Sequence, residues 1–82
     1  MNEINDMYNK AILDALDHDK DMLYDITRDF KDKGLNQFEA YEILKRIRCI
    51  LIDKKDEDTE DSVLELMDYV VGFCQPKYKI WD

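Results

Sequence analysis

The stretch 36–55, NQFEAYEILKRIRCILIDKK, constrains the fold more than any other part of the chain. Ala40, Ile43, Leu44, Ile47, Ile50 and Leu51 recur at spacings of three and four, which is one broad apolar stripe of an α-helix. A weaker line passes through Phe38, Tyr41, Cys49 and Ile52. A helix that is apolar on more than one side packs between others, so this stretch is expected to be the helix against which the rest assembles. The chain has two Gly and one Pro in 82 residues, too few for a sheet built on tight turns.

The flanking segments carry the same period. A first helix is expected over about 3–16, burying Ile4, Met7, Tyr8, Ala11, Ile12 and Ala15. Asp17-His18-Asp19 then offers a turn and N-cap residues. A second helix over about 20–33 buries Met22, Leu23, Ile26, Thr27 and Phe30, and stops where Gly34 follows Lys31 and Lys33. The central helix covers about 37–53, opened by Asn36 and Glu39 as a capping-box pair. The charged, apolar-free stretch 53–61 is expected to be a loop, and a fourth helix over about 59–74 starts on Asp58 or Thr59. It buries Val63, Leu64, Met67, Val70, Val71 and Cys74. Pro76 cannot continue it, and the apolar residues Tyr78, Ile80 and Trp81 mark a tail that docks on the body. The expected fold is all-α: a compact four-helix, bundle-like single domain over residues 1–82 with a docked C-terminal tail.

Charge narrows the partners. Acids outnumber bases by 20 to 12, for a formal charge of −8. Neutralising nucleic-acid phosphates or anionic lipid needs clustered Lys and Arg, so neither direct nucleic-acid binding nor membrane binding is expected, and a basic protein partner is. No basic-then-apolar leader opens the chain and no apolar run approaches a membrane span. A cytoplasmic protein with two reduced, mostly buried thiols, Cys49 and Cys74, is expected.

No motif supplies chemistry. An EF-hand loop started at Asp17 would place Met22 at its sixth position and Arg28 at its twelfth; started at Asp56 it would place Met67 at the twelfth. A di-iron bundle needs Glu-x-x-His twice, and His18 is the one histidine. One His and two distant Cys do not make a zinc spacing. With no phosphate-binding glycine loop and no nucleophile–base pair, neither enzyme activity, a metal nor a cofactor is expected.

The sharpest feature is an acidic patch. Asp61, Glu65 and Asp68 share one helical face at i, i+4 and i+7, and Asp56, Glu57, Asp58 and Glu60 precede them. Seven neighbouring carboxylates repel one another, a cost that a cationic partner would offset; a solvated face that keeps a small protein soluble is the other reading. Gly72 continues the stripe and would let a partner approach the backbone. Tyr69 is placed beside Glu65 and Asp68 as an interface residue, with Trp81 as a further aromatic anchor. A second acidic line, Asp21, Asp25, Asp29 and Asp32, is interspersed with Lys20, Arg28 and Lys31 and reads as a solvated face.

In size, helix pattern and charge, the whole chain resembles the small acidic all-helical immunity proteins that bacteria make against their own nuclease toxins. The Tyr-Tyr-Pro contact motif of the colicin nuclease immunity proteins does not occur, and no residue is carried over from that group. The resemblance implies an immunity protein, monomeric before complex formation, that captures a basic toxin domain on its carboxylates. Two alternatives follow from the same residues: an acidic nucleic-acid mimic that blocks a DNA- or RNA-binding protein, and a small helical adaptor that homodimerises through its apolar tail.

Overall fold

Helix ends in this chain are set by hydrogen bonds among a few adjacent residues, and these divide it into its elements. The structure, a computed structural model, describes residues 3–73 and 76–81. Helix α1 spans Glu3–His18. Asp19 breaks it in an extended conformation, and its side chain accepts from the Asp21 N–H at 3.1 Å. That bond opens a single 3-10 turn, Lys20–Met22, which runs straight into α2, Leu23–Asp32. The break expected at 17–19 is therefore one residue wide.

α2 ends in a paired cap: the Gly34 N–H donates to Lys31 O and the Leu35 N–H to Phe30 O, each at 3.0 Å. This needs a left-handed residue, and Gly34 (φ 110°) supplies it. Asn36 opens α3, Gln37–Asp53, accepting from the Glu39 N–H at 2.8 Å. α3 ends with the same paired cap built on Lys55, at φ 58°: Lys55 N–H donates to Ile52 O and Asp56 N–H to Leu51 O. Asp56 then caps α4, Glu57–Val71, by accepting from the Thr59 N–H at 3.3 Å. Helix four thus starts two residues before its expected first residue, and most of 53–61 is helical. Gly72 (φ 87°) closes α4, and a 3-10 turn, Pro76–Tyr78, leads into the tail.

The protein is all-α, with four helices and, among the described residues, no strand. α1 packs on α2 and α3, and α3 on α4. The radius of gyration is 11.8 Å, against about 12 Å for a compact chain of this length. α3 supplies Ala40, Ile43, Leu44, Ile47 and Leu51 to the core. Tyr8 and Ile12, Leu23, Thr27 and Phe30, and Val63, Leu66, Met67 and Val70 close around them from the other helices. The tail docks as expected: Ile80 is 3% exposed, its N–H donates to Tyr69 O at 3.3 Å, and Trp81 packs half-buried against the core.

Several expected core positions are on the surface. Ile50, Met7, Met22 and Val71 are exposed, as are Phe38, Cys49 and Ile52 of the weaker line. α3 is covered by α1 and α4, and the side carrying Cys49 and Ile52 faces solvent, so Cys49 is an exposed free thiol rather than a buried one. Met22 is exposed because it belongs to the 3-10 turn, outside the period of α2. On α4 the buried arc takes in Leu66, and Leu64 and Val71 fall on its edge. Cys74 and the side chain of Tyr78 lie outside the described residues. No described helix is long and apolar enough to cross a membrane.

Candidate functional site: the acidic face of α4 and the cleft beside it

Capping accounts for the first part of the acidic patch. The Asp56 carboxylate accepts from Thr59, which holds it below the usual carboxylate range, with the charges of Lys20 and Lys54 adding to the effect. Glu57, Asp58 and Glu60 lie in the first turn of α4, where the helix dipole favours negative charge. Glu60 is turned inward and pairs with Arg48 of α3, Nε to Oε2 at 3.1 Å. These four residues, assigned to a partner surface from sequence, thus have work within the chain's own fold.

Asp61, Glu65 and Asp68 remain as an exposed line on α4. Asp61 and Asp68 make no ion pair among the described residues. Glu65 is fixed by its neighbour one turn on: the Tyr69 hydroxyl donates to Glu65 Oε1 at 2.6 Å. Tyr69 is half-buried, and its ring meets Tyr24 of α2 edge-on, centroids 5.4 Å apart at 89°. The guanidinium of Arg28, one turn along α2, lies 5.8 Å from the centre of the Tyr24 ring.

Between these two helices is a cleft of about 320 Å³. Leu23 and Leu66, both buried, line it together with Tyr24, Tyr69 and Ser62. Asp21 and Lys20 border it from the 3-10 turn and Glu65 from α4. The structure therefore joins Glu65 and Tyr69 to residues that sequence reading left out of the site: Lys20, Asp21, Leu23, Tyr24, Ser62 and Leu66. The available signal was Tyr24 four residues before Arg28, a helical pair with no place on the buried face. Trp81 does not line the cleft. Beside Gly72 lies the side chain of Lys79 from the chain's own tail, whose Cε would be 3.2 Å from a Cβ built there.

Two other surfaces stand out. A groove of about 260 Å³ between α1 and α3 is lined by Asn5, Asp6, Asn9, Leu13, Ile43, Arg46, Ile47 and Ile50. At one end of the molecule, Gln37 Nε2 donates to Val70 O at 2.7 Å and ties the start of α3 to the end of α4. Phe38, 72% exposed, and Phe73, 82% exposed, flank that tie.

Among the described residues, no three His, Cys, Asp or Glu side chains come together as a metal site. His18 is exposed at the end of α1. Its Nδ1 lies 3.0 Å from Asp14 O, and that contact and the charge of Asp17 raise its pKa above the usual 6.5. No protein-family model matches the chain, and no match is found among curated proteins or solved structures.

Proposed function

We propose that this protein is an inhibitor of the immunity type, which binds and neutralises a basic bacterial toxin domain, a nuclease being the class expected, through the acidic face of α4. The observation that carries the reading is the exposed line of Asp61, Glu65 and Asp68, in which Asp61 and Asp68 make no ion pair among the described residues. Their mutual repulsion is retained without a capping role to justify it. Opposite charge on a partner would steer encounter, and Tyr69, with its neighbour Tyr24, would supply the aromatic contact that slows dissociation.

The test begins with capture. The immobilised protein is exposed to a lysate of its source organism, eluted with a salt gradient, and the retained protein is purified and expressed alone. A single basic protein that binds one to one and arrests growth, and is rendered harmless by co-expression of this chain, supports the reading. Association of that pair at low salt should then slow by at least about tenfold in a variant carrying Asp61→Lys, Glu65→Lys and Asp68→Lys. Weakly held, heterogeneous basic proteins, or an unchanged association rate, would overturn it.

The pair Phe38 and Phe73 favours one second reading, a helical adaptor that self-associates. Sedimentation equilibrium decides it: a mass that rises with concentration and reverts to monomer on Phe38→Ser and Phe73→Ser supports the adaptor.

A further inference from the structure

The α2–α4 cleft has the build of a receptor for one long cationic side chain, and we infer that it receives a single arginine of the partner. The inference rests on the reading of the chain as a binder of basic proteins. Tyr24 and Tyr69, both half-buried, line the cleft beside the buried Leu23 and Leu66 and give it apolar surface of the kind a side-chain stem packs against. Asp21 borders it from the 3-10 turn and Glu65 from α4, so carboxylates come from both elements that form it. Glu65 is held in position by the Tyr69 hydroxyl through one oxygen, Oε1, which leaves Oε2 to accept from a ligand.

Arginine fits better than lysine on two counts. Its guanidinium spreads five donors in a plane and can address carboxylates on two walls, whereas an ammonium is a compact point charge. It is the more weakly hydrated cation, so it enters a half-enclosed, apolar-lined cleft at lower desolvation cost. The ring of Tyr24 is already faced by the chain's own guanidinium, that of Arg28, and this charge opposes an incoming cation. Lys20 borders the same cleft and opposes any cation there. Its charge is also felt by Asp56, on the capping side.

The experiment needs no partner protein. The full chain, ¹⁵N-labelled, is titrated with N-acetyl-arginine amide, with the lysine analogue, and with the citrulline analogue, which keeps the arginine shape without its charge. Saturable amide shifts confined to Leu23, Tyr24, Glu65, Leu66 and Tyr69 are expected for arginine, with citrulline weaker by about tenfold or more. Glu65→Gln should weaken arginine binding by up to about fivefold and Lys20→Gln should tighten it about twofold. Asp68→Asn, on the same helix outside the cleft, should change it less than about twofold. Shifts spread evenly over the acidic residues, equal binding of the three compounds, or indifference to both Glu65→Gln and Lys20→Gln would overturn the assignment. The two failures are distinguishable: a toxin captured by a chain that shows no localised arginine shifts removes the cleft and leaves the acidic face. Localised arginine binding without a toxin removes the inhibitor reading and leaves the cleft.

Discussion

The hydroxyls of Tyr8 and Thr27 meet at 2.9 Å in the interior, and their hydrogen bond runs from tyrosine to threonine. The direction follows from counting protons. Thr27 has one, and donates it to Leu23 O one turn back at 2.9 Å, so the proton between the two side chains belongs to Tyr8. A polar link thus joins α1 to α2 inside an apolar core, with both residues fully buried.

Removing the donor and removing the acceptor should therefore cost differently. Tyr8→Phe loses one neutral hydrogen bond, about 1 kcal/mol, and leaves the Thr27–Leu23 bond in place. Thr27→Val strands the Tyr8 hydroxyl without an acceptor in the core, for about 1–3 kcal/mol. The double variant should be less destabilised than the two losses added together, by about 1 kcal/mol. Urea unfolding of the four proteins measures this, and strict additivity would show that the two hydroxyls are not coupled.

The same phenol sets an alkaline limit. Burial raises the Tyr8 pKa well above the ordinary 10.0, and the bond to Thr27 offsets part of that rise. Its contribution to stability is complete below the unfolded value. Above about pH 10 the unfolded chain ionises while the folded chain keeps its proton, so stability falls with rising pH by at most about 1.4 kcal/mol per unit. Other groups titrate in the same range, and Tyr8→Phe isolates this one: its stability should decline less steeply between pH 10 and 11.5 than that of the parent chain, as read by denaturant midpoints. Parallel curves would refute the assignment.

Lys55 is the one non-glycine residue of positive φ among those described, and it occupies the position that Gly34 fills at the end of α2. A side chain in this conformation costs about 1 kcal/mol relative to glycine. Lys55→Gly should therefore raise stability by up to about 1 kcal/mol, less the entropy that glycine adds to the unfolded chain. A thermal midpoint shifted upward with the helical signal unchanged would confirm it; a lower midpoint would mean that the lysine charge at the end of α3, where the helix dipole favours it, outweighs the strain.

Ile80 tests the docked tail. It sits beyond the last helix yet is as buried as the core of α3. Ile80→Ala should cost about 2–4 kcal/mol, a core-sized loss, whereas Phe73→Ala, at a site 82% exposed, should stay within about 0.5 kcal/mol. Equal effects in chemical denaturation would mean that the tail is not anchored.

Much of the fold was legible because apolar spacing and caps agree along this chain. Asn36 and Gly34 announce the limits of their helices in residue types that do little else, and the stripe Ala40, Ile43, Leu44 and Ile47 is buried as its period requires. Reading failed where a position depends on what lies opposite. Ile50 and Cys49 belong to apolar lines of α3, but Ile50 lies at the open groove between α1 and α3 and Cys49 faces solvent. Lys55 hid a turn because nothing in a lysine signals left-handed backbone, and so 53–61 read as a loop. Of the acidic patch, the exposed line of Asp61, Glu65 and Asp68 follows from helical spacing, whereas the Arg48–Glu60 pair is a tertiary fact that no spacing announces. Tyr24 and Asp21 were invisible as site residues because their neighbours come from α4, far along the chain.

The short caps also bear on how quickly the molecule assembles. α3 and α4 each start on a side chain bonding three residues ahead, the 3-10 turn before α2 starts on one bonding two ahead, and the main helix packing is of α1 on α2 and α3 and of α3 on α4. Such a topology asks for little loop closure before contacts repay it, and small helical domains of this kind reach the native state in microseconds to milliseconds. During synthesis the apolar stripe of α3 waits uncovered for α4, and the Lys54–Asp56 turn is so brief that its cover emerges at once. A chain wired this way spends little time in the half-built, adhesive forms on which aggregation feeds.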